Sequence, residues 1–418
     1  MTAPLNPDID NINPDDRATP PCPHFGPCGG CQLQHLTYAA QLKLKANELH
    51  TLLSPVELDL PEIQLHPSPP LAYRNRIRLT LAQVDGELRA GYISLQTGIA
   101  RQDDGPASPY ASFLPITQCP IAGPILWRAT EAFLALLPEH HTALRLTQHI
   151  PDQLELFTTA DESRLQLTLY LRTAAKSLSK QVSVAFTTFC EALRVRVPEL
   201  TGAGIALLPP PSIERGRRAE TIHPGPSWGV QGLIYSIPGA NNNASPIDYW
   251  VPRGAFFQAN RYLIPELLGL VTANRAGMLA WDLYAGVGLF SRALARSFAR
   301  VSGVEAAEPA AAALASTGLK NLNAIQATTL DFLRAAVLER DRPGLIILDP
   351  PRSGAGPEVS ALLAQIAAPT LIYVSCSPRV LPADLGILTA RGYRIAELHL
   401  VDLFPQTTHI ETVAILTR

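Results

Sequence analysis

Cys376 closes the apolar run Thr370-Leu371-Ile372-Tyr373-Val374-Ser375 and is followed by Ser377 and Pro378. A strand ending there carries the sulfur to the rim of a sheet, where a thiolate can add to an electron-poor ring carbon and leave the neighbouring carbon nucleophilic. The competing reading is an inert core cysteine. A strand-end position before Ser-Pro favours the nucleophile. Chemistry of that kind needs a base to remove a proton afterwards, and Glu411 lies at the start of the last apolar run, in His409-Ile410-Glu411-Thr412-Val413. It is either a positioned base or a solvated strand start, and periodicity does not decide between them. Another acid, Asp349, follows Leu345-Ile346-Ile347-Leu348 and precedes Pro350, Pro351 and Arg352. Proline disfavours helix in the residue before it, so Asp-Pro-Pro is at least a rigid turn. Two prolines hold the acid at a sheet edge without adding to the packing, which points to a working carboxylate.

A cofactor turn lies upstream. Asp282-Leu283-Tyr284-Ala285-Gly286-Val287-Gly288 ends an apolar strand with two glycines ahead of a helix, which lets a ligand approach backbone amides. Glu305 closes the next apolar run, where an acid can accept hydrogen bonds from both hydroxyls of a ribose. The spacing suits any adenosine cofactor, and a purely structural glycine turn is the alternative. The third glycine of G-x-G-x-x-G is missing, whereas D-x-x-A-G-x-G is the form that S-adenosylmethionine enzymes use. Asp-Pro-Pro also occurs in enzymes that methylate the amino groups of adenine and cytosine, so it leaves the base open.

These residues need elements to hold them. From Met278 onward apolar strands alternate with helices, the mark of an open, mostly parallel α/β sheet. The last two strands, RIAELHLVDLF and HIETVAILTR, follow each other without a helix. They are expected as an antiparallel hairpin at one edge, the ending of a class I methyltransferase sheet. Residues 71–237 differ: short alternating runs such as RNRIRLTLAQ, QLELFTTA and RLQLTLYLR argue for an antiparallel, β-rich α+β domain, with helices at WRATEAFLALL and SKQVSVAFTTFCEALR. The chain thus divides into a disordered tail at 1–20, a cysteine loop and helix at 21–70 with the helix over 38–53, the β-rich domain at 71–237 and the cofactor domain at 238–418.

With 47% hydrophobic and 17% charged residues the chain reads as globular and long enough for more than one core. No apolar run approaches the roughly 20 residues of a membrane-spanning helix, and the acidic, proline-rich start lacks the pattern of a secretion signal. The expectation is a cytoplasmic monomer without a membrane partner. A formal net charge of -2 excludes nucleic-acid binding through bulk basicity, so such binding would need a local patch. Arg74, Arg76 and Arg78 alternate along one strand and should share a face, ready for phosphates. Arg215, Arg217 and Arg218 form a second basic group, read as a solvated loop.

Six cysteines without a secretion signal argue against a disulfide framework. Cys22, Cys28 and Cys31 crowd into one Pro/Gly loop, and with Cys119 in Thr117-Gln118-Cys119-Pro120 they make an all-thiolate set. Such a set suits a [4Fe-4S] cluster or structural zinc. Cys190 reads as a core residue of a helix.

Taken in order, CPHFGPCGGCQLQHL, YRNRIRL, FFQANRYL, DLYAGVGLFSRALA, GVEA, ILDPPRSG, YVSCSP and HIETVAIL resemble the RNA uracil-5-methyltransferase family, and within it the iron-sulfur members that act on 23S ribosomal RNA. The resemblance implies methyl transfer from S-adenosylmethionine to carbon 5 of a uridine in structured RNA, through a covalent adduct on Cys376, with Glu411 as proton acceptor. It implies cofactor contacts at Gln258, Tyr284, Glu305, Thr329 and Asp349, beside the Gly286 and Gly288 turn. It favours a [4Fe-4S] cluster on Cys22, Cys28, Cys31 and Cys119, and RNA binding by the β-rich domain. The family's usual Ser-Cys-Asn-Pro reads Ser-Cys-Ser-Pro here, and Thr329 stands where an acid or amide is usual. The alternatives are the same chemistry on a transfer RNA and a catalytically silent RNA-binding assembly factor. A cytosine-5 enzyme fits less well, since those usually carry the thiol in a Pro-Cys setting.

Overall fold

The computed structural model describes residues 13–56, 60–94, 112–144, 150–209, 222–239, 245–339 and 342–418. The chain divides into two units. One takes the described residues up to Ala18 with His35–Pro70 and Ile234–Arg418, and the other takes Thr19–Gln34 with Leu71–Leu233.

Residues 1–12 of the expected tail lie outside the described residues, but residues 13–18 are no tail. Pro14–Asp16 forms a 3-10 turn capped by the side chain of Asn13. Thr37 N–H donates to Asp16 O at 2.8 Å and Ala18 N–H to His35 O at 2.9 Å, which pins the segment to the start of the first helix. That helix, α1 (Tyr38–Leu53), begins behind Thr37, whose hydroxyl accepts from Ala40 N–H, and buries Gln41, Lys45, Leu49 and Leu53. The four are spaced by four residues and so lie on one face. Strand β1 (Ile63–His66) comes next.

The second unit holds β2 (Arg76–Val84), β3 (Glu87–Ser94), β4 (Ser112–Pro115), α2 (Pro124–His140), β5 (Ile150–Thr158), β6 (Leu165–Arg172), α3 (Lys180–Arg196), β7 (Leu200–Leu208) and β8 (His223–Gly229). They form one sheet in the order β4-β3-β2-β5-β6-β7-β8. Asp85 and Gly86, with φ of 52° and 82°, supply the left-handed pair that closes the β2–β3 hairpin. The sheet is antiparallel as expected except between β6 and β7, which run parallel because α3 crosses between them. Both expected helices are present, and Phe133 meets Phe189 edge to face at 5.5 Å in the core between helices and sheet, beside a fully buried Cys190.

In the first unit the chain resumes with the ribbon β9 (Gly232–Ile237) and β10 (Ile247–Pro252), then α4 (Ile264–Thr272), β11 (Gly277–Leu283), α5 (Leu289–Leu294), β12 (Phe298–Glu305), α6 (Glu308–Ala315) and β13 (Leu322–Gln326). It continues through α7 (Thr329–Glu339), β14 (Leu345–Leu348), α8 (Pro357–Ile366), β15 (Thr370–Ser375), α9 (Leu381–Thr389), β16 (Arg394–Val401) and β17 (Glu411–Thr417). The sheet order is β1-β16-β17-β15-β14-β11-β12-β13. Strands β11 to β15 run parallel, while β17 is inserted antiparallel between β15 and β16. The expected terminal hairpin exists, but not at the edge. Strand β1 pairs with β16 in parallel, from Ile63 opposite Leu398 to His66 opposite Val401, and covers it.

The expected segment 21–70 is therefore divided. Its cysteine loop belongs with the β-rich sheet, whereas α1 and β1 complete the α/β sheet, because Leu49 and Leu53 join the core of Trp281, Tyr373 and Leu398.

Candidate active site

The C-terminal ends of the parallel strands meet at one rim, and the candidate residues stand along it in strand order. Asp282 lies in β11 and is fully buried. Its Oδ2 accepts from the N–H of Ser291 at 2.8 Å and from the Ser291 hydroxyl, while Oδ1 is buried with no hydrogen-bond partner among the described residues. Burial pushes this carboxyl up to about 7. Tyr284 follows with φ 62°, a left-handed turn that only a held residue adopts, and bonds with the side chain of Thr329. Gly286 has φ 56° with open space where a side chain would stand, and Gly288 has φ 91° with Leu314 2.5 Å from the place of a Cβ. The first leaves room for a ligand; at the second, a side chain would be strained by the positive φ and would push the tip of Leu314 aside.

Glu305 ends β12 opposite this turn. Its Oε2 accepts from Gly286 N–H at 2.8 Å and its Oε1 from Ala307 N–H at 2.7 Å. A carboxylate has about four lone-pair sites, so two remain for a pair of hydroxyls. Asp349, just past β14, is half-buried, and Gln258 Nε2 donates to its Oδ2 at 3.4 Å. Burial, with Asp282 adding to it, holds this carboxyl up at about 7.

Cys376 follows β15, and Glu411 is the first residue of β17. The antiparallel register places Ser375 opposite Thr412, so the next pair in the ladder is the thiol and the acid. Glu411 is 3% exposed, and burial, reinforced by Asp349, raises its carboxyl well above the usual range; Arg352 opposes this. Burial pushes the Cys376 thiol up to about 11, with Glu411 and Asp349 adding and Arg352 again opposing. Glu411 is thus no solvated strand start. In sequence Arg352 was only a neighbour of the Asp-Pro-Pro motif with no role of its own, and the Asp282–Ser291 pair went unnoticed; the only signal for either was position at the rim.

Residues 241–418 match the family model described as tRNA (uracil-5-)-methyltransferase. The 23S rRNA (uracil(1939)-C(5))-methyltransferase RlmD of Chromohalobacter salexigens is 30% identical over 410 residues, covering 96% of this chain and 77% of that protein. The RlmD of Alkalilimnicola ehrlichii is 30% identical over 418 residues, with 96% and 83% covered. The chain belongs to the RNA uracil-5-methyltransferase family. It is accordingly an S-adenosylmethionine-dependent methyltransferase. The fold agrees: the tRNA (uracil-54, C5)-methyltransferase of Pyrococcus abyssi, solved with S-adenosyl-L-homocysteine, superposes with a TM-score of 0.65 at 21% identity, over 94% of this chain and 86% of that one.

In this methyltransferase Cys22, Cys28, Cys31 and Cys119 are all free thiols of the second unit. They feel one another: burial pushes Cys31 up to about 12 with Cys119 and Cys28 adding, and Cys22 raises both Cys28 and Cys119, while the Arg74 guanidinium lowers all three. Backbone N–H groups reach the sulfurs, from Gly30 to Cys28 and from Ile121 and Ala122 to Cys119. As placed, the side chains form no cage: among the described residues no group of three or more His, Cys, Asp or Glu is arranged to hold a metal ion.

In this methyltransferase the three alternating arginines differ in their surroundings. Arg76 and Arg78 both pair with the buried Glu155, the second at 2.7 Å. Arg76 lies over the ring of Phe157 at 4.2 Å and Arg78 over Tyr170 at 4.5 Å, while Arg74 stands among the cysteines. Arg76 is packed away, its side chain 17% exposed, whereas Arg78 keeps 46% of its side chain at the surface. Arg215, Arg217 and Arg218 lie outside the described residues. No helix among the described residues is long and apolar enough to cross a membrane.

Proposed function

We propose that this enzyme methylates carbon 5 of a uridine in 23S ribosomal RNA through a covalent adduct on Cys376. The observation that carries the reading is the thiol and the buried carboxyl of Glu411 on neighbouring strands of one rim, beside Asp349.

Carbon 5 of uracil is a weak nucleophile, and addition of the Cys376 thiolate to carbon 6 raises its electron density. S-adenosylmethionine, when bound, supplies an electrophilic methyl group on a sulfonium. Gln258, Tyr284, Gly286, Gly288, Glu305, Thr329 and Asp349 would hold it; the open space at Gly286 and the spare acceptors of Glu305 and Asp349 fit a nucleoside with a cationic centre. Once carbon 5 carries its methyl group, Glu411 takes the proton from that carbon and the Cys376 sulfur leaves carbon 6. The raised basicity of a buried carboxylate suits that step. The uridine has to leave any base stack to meet the thiol.

The all-thiolate set of Cys22, Cys28, Cys31 and Cys119, of which Cys28 and Cys119 receive backbone N–H groups and Cys28, Cys31 and Cys119 lie near Arg74, suits a [4Fe-4S] cluster, whose role we read as structural. Relatives named for 23S ribosomal RNA support that substrate. The description of the matching family model supports a transfer RNA as the second reading.

The test is trapping with 5-fluorouridine in RNA, where fluorine replaces the departing proton. A complex that survives denaturation and maps to Cys376 supports the mechanism, and its absence with Cys376 intact would defeat it. Mass mapping of ribosomal and transfer RNA from a deletion strain then separates the two substrates.

A further inference from the structure

Helix α1 brings polar side chains into the interior, to the loop between β16 and β17 that ends at Glu411. Gln41 and Lys45 are fully buried. Gln41 Nε2 donates to Gln406 Oε1 at 3.0 Å and to Leu36 O at 3.0 Å, and Gln41 Oε1 accepts from Gln406 N–H at 2.9 Å. Gln406 has φ 68°, an unfavourable left-handed conformation for a side chain of that size, so an external clamp is what keeps it. One turn along, Lys45 Nζ donates to Asp402 Oδ1 at 2.6 Å and to Phe404 O at 3.0 Å. Tyr38 OH completes the grip on Asp402 Oδ2 at 2.9 Å. On the next turn Glu48 lies 3.9 Å from Arg379, three residues beyond Cys376.

We infer that α1 is a positioning element of the active site, in which Gln41 and Lys45 set the loop that delivers Glu411 and Glu48 braces the loop behind Cys376. None of the three touches a reacting atom. Their effect is to fix the separation of thiol and acid, to which proton removal is more sensitive than cofactor binding. The inference rests on the proposed roles of Cys376 and Glu411.

The experiment is a single-turnover assay with labelled S-adenosylmethionine and the unmodified RNA transcript that the wild-type enzyme methylates, read on a denaturing gel. Gln41→Ala is expected to slow release of methylated RNA by roughly tenfold to a hundredfold, the scale of a small misplacement of a catalytic group. A methylated RNA-protein complex should accumulate while cofactor affinity stays within about twofold. Gln41→Glu keeps the acceptor for Gln406 N–H but turns its second oxygen toward the acceptors Gln406 Oε1 and Leu36 O, so it should also accumulate the complex and tests the clamp apart from the alanine variant. Glu411→Gln is the reference. If it accumulates no methylated complex, the mechanism itself fails. If it does and neither Gln41 variant does, or if their methyl transfer and release fall in parallel, α1 is only a scaffold and the inference is overturned.

Discussion

Burial and two acidic neighbours push the Cys376 thiol up to about 11, so at neutral pH the resting enzyme holds a thiol and not a thiolate. Alkylation by iodoacetamide should be slow at neutral pH and rise as pH approaches that value. Glu411→Gln and Asp349→Asn each remove a negative neighbour, which favours the thiolate, so the alkylation midpoint should move down in both; an unmoved midpoint in both would sever the electrostatic link. Asp349, held up at about 7, gains its charge as pH rises through neutrality. A cationic sulfonium profits from that charge and a neutral thioether does not. The preference for S-adenosylmethionine over S-adenosylhomocysteine should therefore grow between about pH 6 and pH 8 and become flat in Asp349→Asn. Parallel profiles in the wild-type enzyme would move Asp349 away from the sulfonium. Cys376, Glu411 and Asp349 were legible because reactive residue types at the ends of apolar runs announce a rim. The period of two rightly placed Arg76 and Arg78 on one face, where both meet Glu155, but it could not show that Phe157 packs on Arg76 while the Arg78 side chain stays 46% exposed.

Helix α1 was legible over its whole length, yet nothing in the sequence marked Gln41 and Lys45 as inward-facing, since their partners lie more than 350 residues away, Gln41 and Gln406 being 365 apart. Lys45 and Asp402 are both fully buried. Removing one partner of such a pair leaves the other charge uncompensated and costs roughly 3–5 kcal/mol. Lys45→Met should lower stability by about that amount in urea unfolding, and Lys45→Met with Asp402→Leu should recover much of it. If the single variant were as stable as the wild type, the ion pair would not hold the loop. Strand β1 was not legible for a related reason: Ile63-Gln64-Leu65-His66 alternates apolar and polar for only four residues, too short a run to stand out, and the strand exists because the edge of β16 is there to receive it.

At the scale of the molecule, the α/β and β-rich parts were readable from the change of period, while the exchange of residues 19–34 and 35–70 between them was not, because no shift in composition marks it. The proposed cluster is tested by composition: protein isolated without oxygen should contain about four irons per chain. Cys119→Ser should lose them together with the brown colour. Stoichiometric zinc in colourless anaerobic protein would replace iron in the assignment. The interrupted path of the first unit also bears on how the protein is made. A ribosome releases α1 and β1 early, then spends roughly ten to thirty seconds on Leu71–Leu233 before the strands they complete begin to emerge. During that interval a lysine destined for the interior has no aspartate, and a four-residue strand has no sheet. The first helix thus waits for partners while the intervening unit is made, and β17 can enter the sheet only after both of its neighbours, β15 and β16, have been made.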